Sequence, residues 1–349
     1  MSITMTQPIR NVLCVYIPLI YTFPPDTTTG RDHYRVKVDV YDDSDDSVIG
    51  TKWITTLNSA GAFQTDISNI LQTLLDVDMP NGTETTIYST TNSCKKYYLK
   101  AQEYWDDSNG ILTLQGTAIT SNTKSCIAST EYPEESAGVS KGLLTDMPIL
   151  IRGGYGQSAF ITTETTGIYV KVTRYNGSTE IDSINLTLAT GDSIDGLVLI
   201  PLNDKIYTAA TTSIKIGVYD STDVLLSNEK TLSIVDRCTD AKIIQFKNKY
   251  GQVDFYGFDS YTHEDNISRT AVLNDLINFD GYINITKYYK LFGRYENSTV
   301  MNWLRQLNMS RYLYLDSERI KVTTTKQVVI SDELTALQLE IILQNEYTN

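Results

Sequence analysis

His33 and His263 are the chain's two histidines, so imidazole acid–base chemistry or a two-His metal site would have to draw both from distant segments. His33 follows Asp32 just ahead of a strand pattern, and His263 precedes Glu264 in a polar stretch. Each reads as a solvated loop residue. Oxygen ligands for calcium are offered by Asp42-Asp43-Ser44-Asp45-Asp46, but the alternating acidic spacing, the glycine and the distal glutamate of a calcium loop are missing. That cluster reads as a solvated hairpin turn, and Asp106-Asp107-Ser108-Asn109-Gly110 as another. Gly153-Gly154-Tyr155-Gly156 has the glycines of a phosphate cradle but leads into no capped helix. No zinc-protease, nucleophile-elbow, P-loop or dinucleotide fingerprint occurs. Carboxylate pairs for glycoside hydrolysis leave no local motif, so a dispersed hydrolase site stands as a minor alternative. The expectation is a chain that is not an enzyme and uses no cofactor or metal.

The elements that would position any site are mostly strands. Residues 238–258 read as two short strands joined by a tight turn at 248–251, with Asn and Gly supplying the turn chemistry. Ile244 and Phe246 share one face; Val253 and Phe255 lie beyond the turn. Tyr256 and Phe258 fall on the opposite parity from Val253 and Phe255, so the second strand is apolar on both faces. Such a strand is sandwiched in a core or covered by another chain. Tyr250, Phe255, Tyr256 and Phe258 are therefore the candidate residues for packing or for a subunit contact.

Strand alternation recurs at 34–41, with Tyr34, Val36, Val38 and Val40 on one face, at 168–175 before Asn176-Gly177, and at 214–219 before a polar turn. Helical spacing is rarer. Ile67, Ile70, Leu71, Leu74 and Leu75 predict one short helix capped by Thr65 or Asp66. Val300, Trp303, Leu304 and Leu307 predict a second, capped by Asn297 or Ser298, and 270–279 a third. Leu337, Leu339, Ile341 and Leu343 predict a final strand.

The fold class expected is mainly β: two or three β-sandwich-like domains with a few short helices. A length of 349 residues exceeds what one core commonly supports. The polar stretch 133–142 marks one boundary and residue 236 another. This gives an N-terminal β domain with one short helix (1–135), a central β-sandwich (143–236), and a C-terminal β region with the hairpin and a short helix (237–349). The 24 tyrosines against 8 phenylalanines fit amphipathic strand faces and contact surfaces. A net charge of −13 argues against phosphate-backbone binding and against an anionic membrane surface. Cys14, Cys94, Cys126 and Cys238 are widely spaced without a C-x-x-C pattern and read as free, partly buried thiols. The first residues lack a basic and apolar leader, so synthesis in a cytoplasm without export by a Sec route is the expectation.

Several of these segments occur together in one order: the strand at 34–41, Phe63-Gln-Thr-Asp-Ile-Ser-Asn-Ile70, Glu103-Tyr104, and Gly142-Leu-Leu-Thr-Asp-Met-Pro148. After them come 238–258, Trp303-Leu304-x-x-Leu307-x-x-Ser310 and a final apolar strand. This order resembles virion proteins of tailed bacteriophages of Bacteroides and related gut bacteria, including the crAss-like phages. Its most specific piece is Phe246-Lys-Asn-Lys-Tyr-Gly-Gln-Val-Asp-Phe-Tyr-Gly-Phe258. The resemblance implies a structural subunit of the neck, collar or tail, located in the virion after synthesis in the host cytoplasm. The implied partners are copies of itself in a homo-oligomeric ring, and portal, tail or further ring proteins; no sequence-specific nucleic acid and no membrane is implied. No catalytic residue carries over. The alternative is a receptor- or carbohydrate-binding tail module, supported by the tyrosines and acidic loops. Only Trp53, Trp105 and Trp303 are available to stack on sugars, and Trp303 reads as a buried helix face.

Overall fold

The computed structural model describes residues 3–25, 31–90, 92–136, 139–163, 166–189, 194, 196–238, 240–274, 277–316, 318–331 and 334–347. It is mainly β, as the alternation predicts, with two α-helices among these residues.

The N-terminal part is built on a six-stranded sheet in the order Val12–Cys14, Lys124–Ile127, Cys94–Asp106, Arg35–Asp42, Val48–Ile54, with Leu112–Thr120 also paired to Cys94–Asp106. Val36, Val38 and Val40 are fully buried on one face, where they meet Tyr97 and Leu99. A two-stranded ribbon, Ile20–Phe23 with Phe63–Asp66, closes that face with Tyr21, Phe23 and Phe63. The central part pairs Ile149–Ile151, Lys230–Val235, Ser213–Tyr219, Tyr169–Asn176 and Thr179–Thr187 in one sheet. Opposite it lies a three-stranded sheet of Gly156–Ile161, Leu197–Leu202 and Tyr88–Ser89. Phe160, Val198 and Ile200 face the central core, whereas Ala159, Ile161, Leu197 and Leu199 meet Val12, Cys14 and Ile127 of the N-terminal sheet. Covered on both sides, Gly156–Ile161 and Leu197–Leu202 are buried throughout.

The hairpin Lys242–Lys247 and Val253–Phe258 joins Leu313–Leu315 and Glu318–Arg319 in a four-stranded sheet. A second four-stranded sheet holds Ser260–Asn274, Ile277–Glu296, Leu334–Tyr347 and Lys321–Ser331, in that order. One apolar cluster runs from Leu150, Val170 and Ile216 through Phe246 and Trp303 to Leu339, so the core is continuous across residue 237. No helix among the described residues is long and apolar enough to cross a membrane.

Three expectations need correction. Residues 270–274 and 277–279 form strand instead of a third helix, and 275–276 lie outside the described residues. The apolar side chains there match a two-residue period as well as a helical one, and pairing along a long hairpin decides between them. His263 is likewise in a strand, opposite Tyr289, not in a loop. The first helix, α1, covers only Ser68–Leu71, followed by a turn through 72–74. Thr73 Oγ1 donates to the Ile70 carbonyl at 2.7 Å, a local bond that competes with continued helix. The N-cap is Ile67, with no side-chain cap bond, instead of Thr65 or Asp66; Asp66, one residue earlier, accepts from Ser68 N at 2.9 Å. In the boundary stretch 133–142, Glu135–Ser136 pairs with Val139–Ser140, and Ser140 Oγ accepts from Ile161 N at 3.0 Å.

Candidate functional site

The Val253–Phe258 strand is buried at every position, and its register explains how. Ile244 lies opposite Tyr256 and Phe246 opposite Asp254, so these four and Phe258 share one face. Onto that face packs α2 (Ser298–Met309), whose Val300, Trp303, Leu304 and Leu307 are buried as their spacing predicts. Asn297 caps it by accepting from Val300 N at 3.0 Å. The Trp303 ring sits 5.6 Å from Phe246 and 6.1 Å from Tyr256, and Tyr256 meets Phe258 edge-on at 5.2 Å. The Tyr256 hydroxyl donates to Glu296 at 2.9 Å.

The other face carries Gln245, Val253 and Phe255. It lies against 154–156, where Gln245 Nε2 donates to the Tyr155 carbonyl at 3.0 Å. A Cβ on Gly154 would overlap the Phe255 ring, and one on Gly156 would lie 2.7 Å from Phe255 Cδ1. The glycine-rich run is thus the floor for an aromatic ring, a close approach that only glycine permits. Phe255, Tyr256 and Phe258 are each at most 1 % exposed and occupied by contacts within the chain. Tyr250 is half-buried in the turn, with Lys249 Nζ 4.9 Å from its ring centre. Gly251 has φ +87°, as the turn prediction requires.

Sequence reading missed two charged residues at this junction. Asp254 is fully buried: Thr145 Oγ1 and Asn248 Nδ2 donate to its Oδ1 at 2.8 and 2.9 Å, and Trp303 Nε1 to its Oδ2 at 2.7 Å. Burial pushes its carboxyl up to about 6 against the pull of these three donors. Lys247 is 9 % exposed and sends its amine between the rings of Tyr16 and Tyr312, 5.3 and 4.8 Å from their centres. Burial lowers that amine to about 8. It borders a cavity of about 390 Å³ that is also lined by Tyr16, Gln306, Met309, Arg311 and Tyr312. The available signal was a charge within an otherwise apolar strand, which burial obliges to find partners.

The remaining candidates are elsewhere. Asp42 accepts from Ser44 N at 2.8 Å, Asp45 from Ser47 N at 2.9 Å and Asp46 from the Tyr98 hydroxyl at 2.8 Å, all in the turn between Arg35–Asp42 and Val48–Ile54. Asp107 accepts from Asn109 N and Ile111 N. His33 is exposed and 2.7 Å from Asp106; His263 stacks on Tyr289. The structure does not bring the two histidines into one site. All four cysteines are free thiols, three of them buried and Cys238 exposed.

The long sheet presents a different surface. Tyr295 and Val328 stand either side of Ala336 on its outer face, 50 % and 42 % exposed, with Val329 and Leu334 nearby at 63 % and 43 %. Among the described residues nothing pairs with the outer edge of Ser260–Asn274 or of Lys321–Ser331. Pairing of Ile277–Glu296 with the C-terminal strand stops at Ile283, while pairing with Ser260–Asn274 continues to Ile277. Within those residues the end of the hairpin is two-stranded.

No family model matches the chain, and no curated protein matches it. Among solved structures it is similar to native E. coli alpha-2-macroglobulin at 10% identity and a TM-score of 0.20, over 100% of this chain and 20% of that one. It is also similar to a marsupial T cell receptor at 9% identity and a TM-score of 0.21, over 100% of both chains. The chain spans about a fifth of the macroglobulin's length. Likenesses this slight carry no argument about function.

Proposed function

We propose that this chain is a structural subunit of a bacteriophage virion, a ring or collar protein of the neck or tail that assembles through protein–protein contacts. The observation that carries the reading is the long four-stranded sheet, neither of whose edge strands has an outer partner among the described residues. Strands of 15 and 20 residues are long for a globular protein. An edge strand with unpaired main chain and exposed Val328 and Val329 is an aggregation hazard unless something covers it. A neighbouring copy in a closed ring would cover it, and the two edges offer the two unlike surfaces a head-to-tail contact needs. The motif order around 246–258 supports the same reading. Portal, tail or further ring proteins are the partners it implies.

One feature favours the alternative of a carbohydrate-binding tail module. Trp53 is 47 % exposed on the sheet face it shares with Tyr104, whose ring centre is 5.0 Å away. The test is native mass spectrometry of the purified chain across a range of concentrations. A discrete high-order oligomer is expected. A strict monomer that binds on a glycan array would overturn the assembly reading in favour of the alternative.

A further inference from the structure

We propose that the cavity between the hairpin, the C-terminal end of α2 and Tyr16 binds a carboxylate, with Lys247 as its counter-ion. Lys247 is nine-tenths buried, yet no carboxylate among the described residues lies within 4.0 Å of its amine. Three other withdrawn lysines among the described residues have polar partners. Lys230 Nζ donates to the Thr145 carbonyl at 2.8 Å and Lys124 Nζ to Asn11 at 3.4 Å. Lys249, at the same cavity, is held by Glu131 at 2.9 Å and Asp146 at 3.0 Å. For Lys247 the neighbours are two aromatic rings, which recover part of the lost hydration but supply no hydrogen-bond acceptor. An anion in the adjoining space completes the arrangement.

The walls narrow the ligand's chemistry. At about 390 Å³ the space is in the range of small-molecule sites. Tyr16, Tyr312 and the exposed Met309 give it apolar sides, and Arg311 adds a second cation with no ion-pair partner among the described residues. Further negative charge is opposed by Asp146, Glu131 and Asp76, and by the carbonyl end of α2. Two uncommitted cations between apolar walls and flanking acids match one negative charge on an apolar body better than they match a phosphate dianion.

Proton linkage gives the site a signature. The rings of Tyr16 and Tyr312 lie beside the amine, Asp76 is the charge that acts on it and pulls its pKa up against burial, and Arg311 and Lys249 line the same cavity. An anion beside the amine raises its pKa from about 8, so binding at pH 8.5 takes up protons.

The test is calorimetric titration of the whole chain at pH 8.5, in two buffers of different protonation enthalpy. The probes are benzoate and, separately, a blocked peptide with a single aspartate. Saturable binding with proton uptake is expected, reduced at least tenfold in Lys247→Met and retained in Lys247→Arg. Binding of benzoate alone assigns a free organic acid, and binding of the peptide alone assigns a protein carboxylate. If neither probe binds, or Lys247→Met binds like the wild type, the proposal is overturned. A readout on the folded wild type guards against a variant that does not fold. After reductive ¹³C-methylation, benzoate must move the Lys247 methyl resonance, and an unmoved resonance overturns the proposal equally. The outcome is independent of the assembly reading, since oligomeric state is measured without either probe.

Discussion

Trp303 donates its indole N–H to Asp254 at 2.7 Å, joining α2 to the hairpin through a carboxylate that water does not reach. The bond orients the helix on its strand pair, while Thr145 ties the same carboxylate to the segment entering the central sandwich. Trp303→Phe keeps most of the ring's packing but leaves Asp254 Oδ2 without its donor. An unpaired buried acceptor costs about 1–3 kcal/mol, more for a charged group. Urea unfolding at pH 7 should show a loss in that range; an unchanged midpoint would mean that the helix is held by apolar contact alone.

The Asp254 carboxyl makes stability depend on pH in a stated direction. Its folded value is raised from 3.8 to about 6, so its contribution is complete below pH 3.8 and is lost as pH rises through 6. Two units correspond to about 3 kcal/mol. Asp254→Asn does not titrate, and its amide must turn a donor toward one of three donors. Relative to this variant, the wild type should lose about 3 kcal/mol between pH 3 and pH 7 and then level off. A constant difference across that range contradicts the linkage.

Gly156 gives a steric prediction. A methyl group there meets Phe255 and the Val253 carbonyl, so Gly156→Ala should cost about 1–3 kcal/mol through overpacking. Phe255→Leu vacates part of the same space. The double variant should then be more stable than the sum of the singles allows, because neighbours in contact are not additive. Strict additivity in a denaturation cycle would show that the strand pair relaxes freely.

Val329→Lys tests the open edge. At 63 % exposure the side chain contributes little to the single chain, and surface changes of this kind usually shift stability by less than about 0.5 kcal/mol. Charge on an edge strand discourages edge-to-edge pairing. The expected result is an unchanged melting temperature with a lower oligomer population in native mass spectra. Assembly undiminished in this variant would place the contact elsewhere.

Much of the fold could be read from alternation and turn chemistry because one face of each sheet is buried. Val36, Val38 and Val40, the Asn176-Gly177 turn and the cap at Asn297 each follow a local rule, and each is where that rule puts it. The long hairpin was hidden for the opposite reason. His263, Glu264 and Asp265 are exposed, so the strand lacks the polar–apolar contrast from which a strand is read, and its pairing lies in distant residues. The junction was legible in part. Aromatic residues on both parities announced a strand covered on both sides, but not that Phe255 would rest on Gly154 and Gly156 or that α2 would meet Asp254. Those are tertiary contacts between segments about 50 to 100 residues apart, which no local spacing encodes.

Lys247 gives the last prediction, with a sign opposite to that of Asp254. Burial lowers its amine from 10.5 to about 8, so the fold favours the neutral form. The charged amine therefore costs stability at pH 7, a cost that fades as pH rises from 8 to 10.5. Methionine matches the lysine stem and carries no charge. Lys247→Met should be more stable than the wild type by about 1–2 kcal/mol at pH 7, after the lost attraction to the Tyr16 and Tyr312 rings is deducted. The gain should shrink to a few tenths of a kcal/mol by about pH 10.5, where the folded amine is neutral and the unfolded one is half protonated. Denaturant unfolding at pH 7, 9 and 10.5 measures it. A variant less stable than the wild type at pH 7 would mean that the two rings compensate the buried charge in full, leaving the cavity without an unmet electrostatic demand.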